Sequence, residues 1–247
     1  MGVSELNRLQ IPAAADAAIG IYFPDMDSPG RTYTVRNYDA AARRLTVDFL
    51  LHGDGVGTHW VASAAPGAVV TLAHANSWYR PPPATESQLL VADLAGLPAL
   101  ARLIDELPTA TDAVAIVEVL EPDDLDYLPP DRVEMLTSVG TGNGAGQSVL
   151  SELVATCGPP ARYGYCWFGG EAGQARAIRK LLRHELGWSV DQLDVMGYWR
   201  RDSETWDRRY ANVGPGLFEA YQSALAQGTD QRVAAEQYDT ALERLGL

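Results

Sequence analysis

The chain has 247 residues, 47% of them hydrophobic, enough to bury one large core or two small ones. Its 19 Lys and Arg against 32 Asp and Glu leave a formal net charge of −13. Nucleic acid and anionic membrane both need a basic footprint, so neither is an expected partner.

The first ten residues, MGVSELNRLQ, have no apolar run and carry Glu5, unlike a signal peptide. Leu6 stands where a myristoylation signal has Ser or Thr. Short β-branched or aromatic segments follow: IGIYF (19–23), RTYTVR (31–36), RLTVDFLLH (44–52) and AVVTLAH (68–74). The turn signals PDMDSPG, NYDAA, GDGVG and APG separate them. Close spacing of short strands predicts a small antiparallel barrel or sandwich. The run YRPPPATES (79–87) reads as an extended linker, because consecutive prolines cannot join a strand ladder. A domain boundary is placed there, giving domains at 1–83 and 84–247.

From residue 88 the rhythm changes. Strands are predicted at QLLVA (88–92), AVAIVEVL (113–120), VEMLTSV (133–139), RYGYCWF (162–168) and QLDVMGYW (192–199). Helical patterns lie between them at 97–107, near 147–156 and at 171–186. Such alternation predicts a mostly parallel sheet, with ligands at the carboxyl ends of its strands. Beyond 202, one or two helices are expected. The fold class is therefore two-domain, an antiparallel β unit followed by a parallel α/β unit. Cys157 and Cys166 lack Cys-x-x-Cys spacing, and the four histidines lack ligand spacing, so no metal site and a reducing, cytoplasmic setting are expected. No apolar stretch approaches the roughly 20 residues of a membrane span. GTGNGAG (140–146) does not match G-x-G-x-x-G and reads as a flexible loop; EPDDLDYLPPD (121–131) reads as a solvated one.

Four segments, RTYTVR, VDFLLHGDGVGTHW, WFGGEAGQARAIRKLLRHELGW and MGYWRRD, in this order and spacing, resemble the siderophore-interacting proteins. These are flavin-dependent ferric-siderophore reductases of the ferredoxin reductase-like superfamily, and the resemblance covers roughly residues 19 to 202. It implies a β-barrel binding FAD and a ferredoxin reductase-like α/β unit handling NAD(P)H.

In the first segment the resemblance assigns FAD binding to Arg31, Tyr33, Thr34 and Val35. Arg31 offers a planar donor fork to a pyrophosphate. Tyr33 offers a ring to lie on the flavin, Thr34 a hydroxyl for the ring edge, and the backbone around Val35 bonds for the pyrimidine end. By alternation Arg31, Tyr33 and Val35 share one strand face, and Thr32, Thr34 and Arg36 the other. The plain alternative is an ordinary strand with exposed arginines.

In the second segment, Gly55, Gly57 and Thr58 form a loop opening a helix, its N–H groups aimed at phosphate. His52 corresponds to the family histidine, and His59 replaces the basic residue usual before Trp60; the alternative is a glycine turn with surface histidines. In the third, Gly169, Gly170 and Glu171 end a strand where a parallel sheet seats its ligand, which implies that Gly170 and Glu171 handle NAD(P)H or substrate. Arg176, Arg179, Lys180 and Arg183 downstream read as a solvated helix face. In the fourth, Tyr198 or Trp199 would cover the flavin face that meets the nicotinamide, and Arg200 or Arg201 would meet an anionic ligand. The alternative is aromatics packing the sheet edge.

The chain departs from the family pattern in three places. Only 18 residues precede IGIYFP where two more strands are usual, so the barrel is incomplete or closed by another chain. AHANSWYRPPP replaces a Gly-Pro-rich loop, and Leu94 and Ala95 replace the Glu and Thr that usually follow Asp93. The expected function is flavin-dependent reduction of a ferric siderophore, with electrons from NAD(P)H or ferredoxin and no protein nucleophile or general base. The alternative is a degenerate, non-catalytic relative that binds flavin, siderophore or a protein partner. Monomer and homodimer stay open.

Overall fold

A computed structural model describes residues 9–24, 30–51, 55–83, 85–158 and 164–247. The N-terminal part is an antiparallel four-stranded sheet in the order β3-β2-β1-β4, formed by β1 (Ala18–Tyr22), β2 (Arg31–Asp39), β3 (Arg44–Val47) and β4 (Thr71–Asn76). Helix α1 (Val56–Ser63) connects β3 to β4. Among the described residues the two edge strands do not pair, so the sheet is open, in line with the incomplete barrel expected from the sequence. Strand alternation sends Ile19, Ile21, Val35 and Leu45 into a small core, with Tyr33 and Phe49 packed against it. The strand predicted over 44–52 ends at Val47.

The second part is a parallel sheet in the order β7-β6-β5-β8-β9: β5 (Ser87–Ala92), β6 (Asp112–Val119), β7 (Glu134–Val139), β8 (Gly164–Glu171) and β9 (Leu193–Trp199). Its strands are continuous apolar runs because helices cover both faces. On one face α2 (Leu97–Glu106) buries Leu100, Leu103 and Ile104 against Leu90 and Trp167. On the other, α3 (Leu150–Cys157) and α4 (Ala172–Lys180) bury Val154 and Ile178, with Leu182 of the turn after α4, against Leu89, Val91 and Phe168. The chain order reverses between β5 and β8, where Leu90 lies beside Trp167. That is the switch point at which doubly wound sheets open a ligand crevice.

Three features differ from the sequence expectations. The start of the proline linker is anchored: Asp16 accepts from the amides of Trp78 at 2.9 Å and Tyr79 at 2.7 Å, and from Trp167 Nε1 at 3.2 Å. This buried carboxylate ties the segment before β1 to the linker and to β8, and burial raises its pKa. The predicted flexible loop 140–146 is pinned, because the buried Glu118 accepts from Thr141 Oγ1 at 2.9 Å and the Val149 amide at 2.8 Å. The arginines of α4 and its following π turn (181–185) are not a solvated face. Arg179 pairs with Asp239, and Arg183 pairs with Glu236 at 3.0 Å, fastening α6 (Gln231–Arg244) to α4 and the turn after it. Helix α5 (Ser203–Ala226) packs on α6 as the outer arm of a hairpin. Among the described residues, no helix is long and apolar enough to cross a membrane.

Candidate functional site

The first group of site residues gathers around β2 and the start of α1. Arg31 is exposed at the beginning of β2. Tyr33, two residues on and on the same face, is half-buried, its ring 4.5 Å from that of Phe49. Burial raises the Tyr33 phenol and the nearby Arg31 guanidinium pulls it back, so the two side chains sense each other.

Gly57 is buried in the first turn of α1, where a Cβ would lie 2.0 Å from Tyr33 Oη. Only glycine lets the helix start settle on the phenol. Gly55 caps that turn in an extended conformation and has no side chain to bond its amides. A helix start without a side-chain cap presents N–H donors and a partial positive charge. Together these residues form a guanidinium, a phenol and a helix N-terminus beside a strand, which is the donor set a phosphate-bearing flat cofactor requires. FAD fits them. Thr58 lies half-buried in the same turn.

The remaining residues predicted here are placed differently. Thr34 is buried on the opposite face of β2 from Tyr33. Val35 is buried with both backbone groups engaged: its N–H donates to Ala17 O at 2.8 Å, and its carbonyl accepts from Arg102 Nη1 of α2 at 2.6 Å. Arg36 also joins the two sheets, through Pro98 O at 3.4 Å and Asp48 at 3.2 Å. His52 lies outside the described residues.

The second group converges on the switch point, around a residue not among the predicted site residues. Asp93, directly after β5, is buried. One of its oxygens, Oδ2, accepts from the Glu171 amide at 2.8 Å and from Trp199 Nε1 at 2.6 Å; Oδ1 accepts from the Ala95 amide at 2.9 Å. Burial pushes its pKa up to about 6, against hydrogen bonds that pull it down. Its contribution to stability is therefore complete below its ordinary range and is lost as pH rises through about 6. Gly170 permits this packing, since a Cβ there would lie 2.8 Å from the Asp93 carboxyl.

Glu171 caps α4, accepting from the Gln174 amide at 3.0 Å. Tyr198 is not a surface cover: its ring sits 6.4 Å from Trp78 and 6.3 Å from Trp167, and its buried hydroxyl has no hydrogen-bond partner among the described residues. Trp199 stays half-buried at the crevice. Arg200 stacks its guanidinium 4.1 Å above the Trp206 ring, and Arg201 reaches Gly146 O at 3.4 Å. Asn143 of the pinned loop closes the edge by accepting from the Leu94 amide at 2.9 Å. Asp93 had a sequence signal, a lone carboxylate ending an apolar strand; Asn143 had none beyond its glycine neighbours. A separate cavity of about 120 Å³ lies against α6 between Trp78, Asp194, Tyr221 and Arg232.

Comparison with known proteins agrees with this arrangement. The siderophore-interacting FAD-binding domain matches residues 5–77, and the siderophore-interacting protein domain matches residues 85–202. An uncharacterized protein of Mycobacterium tuberculosis is 32% identical over 224 residues, covering 80% of this chain and 74% of that one. The ferric vibriobactin reductase ViuB of Vibrio cholerae is 28% identical over 188 residues, 73% of this chain and 68% of its own. The crystal structure of a siderophore utilization protein from T. fusca superposes with a TM-score of 0.68 at 30% identity, over 81% of this chain and 85% of that one. With two family domains in order along one chain, and the open antiparallel sheet followed by the doubly wound one, the chain belongs to the siderophore-interacting protein family.

Proposed function

We propose that this chain is an FAD-dependent ferric-siderophore reductase, taking electrons from NAD(P)H or ferredoxin. The observation that carries the proposal is the contact of Tyr33 with the capless start of α1, with Arg31 two residues away on the same face of β2 and acting on the Tyr33 phenol. Arg31 and the first-turn amides of α1 hold the phosphates, and Tyr33 orients the flat ring system. Bound FAD supplies the conversion between a two-electron donor and one-electron reduction of Fe(III). The crevice at Asp93, Gly170 and Trp199 seats the second ligand, as switch points do in sheets of this winding. Iron leaves because the hard oxygen donors of a siderophore hold Fe(II) far less tightly than Fe(III). The relative from Vibrio cholerae, named for reduction of ferric vibriobactin, supports this substrate class.

A second reading, a relative that binds without turnover, is favoured by one observation. Leu94 and Ala95 put apolar side chains at the end of β5, where similar proteins carry polar ones.

A visible spectrum separates the two. The purified chain, mixed with FAD and freed of excess, is expected to retain flavin bands that bleach with NAD(P)H or reduced ferredoxin and recover on adding a ferric siderophore. Bands that are retained but never bleach would favour the second reading. No retained flavin would end the reductase proposal.

A further inference from the structure

We propose that Asp93 is a positioning residue: its carboxylate fixes the Trp199 indole and the Gly170–Glu171 turn relative to the end of β5, and so shapes the ligand seat at this edge of the sheet. This rests on the reading that a planar redox ligand uses the crevice, but the hydrogen bond itself can be tested without any ligand.

The carboxyl ends of β5, β8 and β9 meet at this one side chain. The meeting depends on an irregularity between β8 and β9. Gly170 pairs with Gly197, yet Glu171 pairs with Trp199, so one residue of β9 is skipped. The skip brings the indole N–H of Trp199 and the Glu171 amide onto the same oxygen, as bulges do when they re-aim a side chain. Tyr198, the skipped residue, turns inward between Trp78 and Trp167. Trp199 is left half-buried on an edge strand, where its own packing restrains it incompletely. Its hydrogen bond to Asp93 supplies the missing restraint, leaving the rest of the indole available to a flat ligand.

The bonds Asp93 accepts come from neutral N–H groups. From β8, the Glu171 carboxylate turns away to the Gln174 amide and toward the Arg201 amide at 3.5 Å. From β9 comes the buried phenol of Tyr198, on which both Asp16 and Asp93 act. Arg200 is held over Trp206 and Arg201 at Gly146. Buried among neutral donors, the Asp93 carboxyl titrates near pH 6, and its protonated form is the poorer acceptor for the indole.

The test follows the indole N–H resonances of the six tryptophans in the 15N-labelled full-length chain between pH 8 and pH 5. Trp199 is assigned by the signal lost in Trp199→Phe. Its resonance should titrate with a midpoint near pH 6 and lose at least tenfold of its exchange protection below that pH. In Asp93→Asn the midpoint should vanish. A Trp199 resonance that does not titrate, or one that titrates unchanged in Asp93→Asn, overturns the proposal. If Asp93→Asn does not fold, the unmodified chain alone decides.

In flavin-loaded protein, Asp93→Asn and Trp199→Phe should each raise the KM for pyridine nucleotide about tenfold, and the double variant should be no worse than either. Additive effects would overturn the positioning role. Failure to retain flavin would overturn the reductase proposal and leave the resonance test standing.

Discussion

Gly57→Ala should strip the chain of FAD, although helix propensity alone argues the other way. Alanine is favoured over glycine inside a helix by about 1 kcal/mol. The added Cβ, however, would lie 2.0 Å from Tyr33 Oη, 3.2 Å from its Cζ and 3.7 Å from Phe49 Cδ1. A 2.0 Å approach cannot be absorbed in place, so either the ring of Tyr33 or the start of α1 must move. Both belong to the proposed flavin seat. FAD affinity is expected to fall at least tenfold, a cost of about 1.4 kcal/mol or more. The same geometry supplies a control. The clash is with the hydroxyl oxygen, and the next ring atom lies at 3.2 Å, so Tyr33→Phe combined with Gly57→Ala should recover much of the affinity lost by Gly57→Ala alone. Arg31→Ala should weaken FAD roughly 10- to 100-fold through a lost charge-assisted contact, without rescue by Tyr33→Phe. Flavin fluorescence quenching measures each variant against the unmodified chain. Gly57→Ala protein that binds FAD as the unmodified chain does would show that Tyr33 and α1 are not parts of one seat.

Much of this fold was legible because its signals are local. The continuous apolar runs of β5, β6 and β8 and the leucine spacing of α2 follow from burial on two faces and on one stripe, so they can be read from sequence. The meeting of Arg31 and Tyr33 was legible because strand alternation puts both on one face. What was not legible depends on partners far along the chain. Val35 looked available to a cofactor, yet its carbonyl is taken by Arg102, 67 residues away. The arginines of α4 looked solvated because their partners, Glu236 and Asp239, lie on a helix whose docking no local pattern announces. The GTGNGAG loop looked mobile by composition, and it is held by a buried Glu118 from the middle of the sheet. Tyr198 and Trp199 were interchangeable in the sequence; one skipped residue in the pairing of β8 and β9 sends the first inward and leaves the second at the crevice.

Asp194→Ala should be the most destabilising single change considered. Asp194 is buried at the start of β9 and accepts from Arg232 Nε at 2.9 Å and Nη2 at 2.6 Å, from Tyr165 Oη at 2.7 Å and from the Arg80 amide at 3.1 Å. The carboxylate thus joins α6, β8 and the linker at one point. Removing it leaves the half-buried Arg232 guanidinium bonded to the Arg80 carbonyl at 2.6 Å but without its counter-charge, and the buried Tyr165 phenol without its acceptor, while the Arg80 amide keeps the Tyr165 oxygen at 3.1 Å. Breaking one side of a fully buried pair costs about 3–5 kcal/mol, and the partial exposure of Arg232 puts the expected loss at the low end of that range. Arg232→Met should cost less, since Asp194 keeps the Tyr165 hydroxyl, the Arg80 amide and the Arg80 guanidinium at 3.4 Å, and the methionine stem keeps its packing. Glu106→Ala, which removes the helix-surface pair with Arg102, should cost under about 1 kcal/mol, as exposed pairs do. Urea melts would rank the three. The location of the loss can be tested as well: Arg232 sits in the first turn of α6, so Asp194→Ala should expose the α5–α6 hairpin to protease before the parallel sheet unfolds. An Asp194→Ala chain as stable as Glu106→Ala would mean that the hairpin is held by its outer ion pairs, Arg179–Asp239 and Arg183–Glu236, rather than by the buried carboxylate at its base.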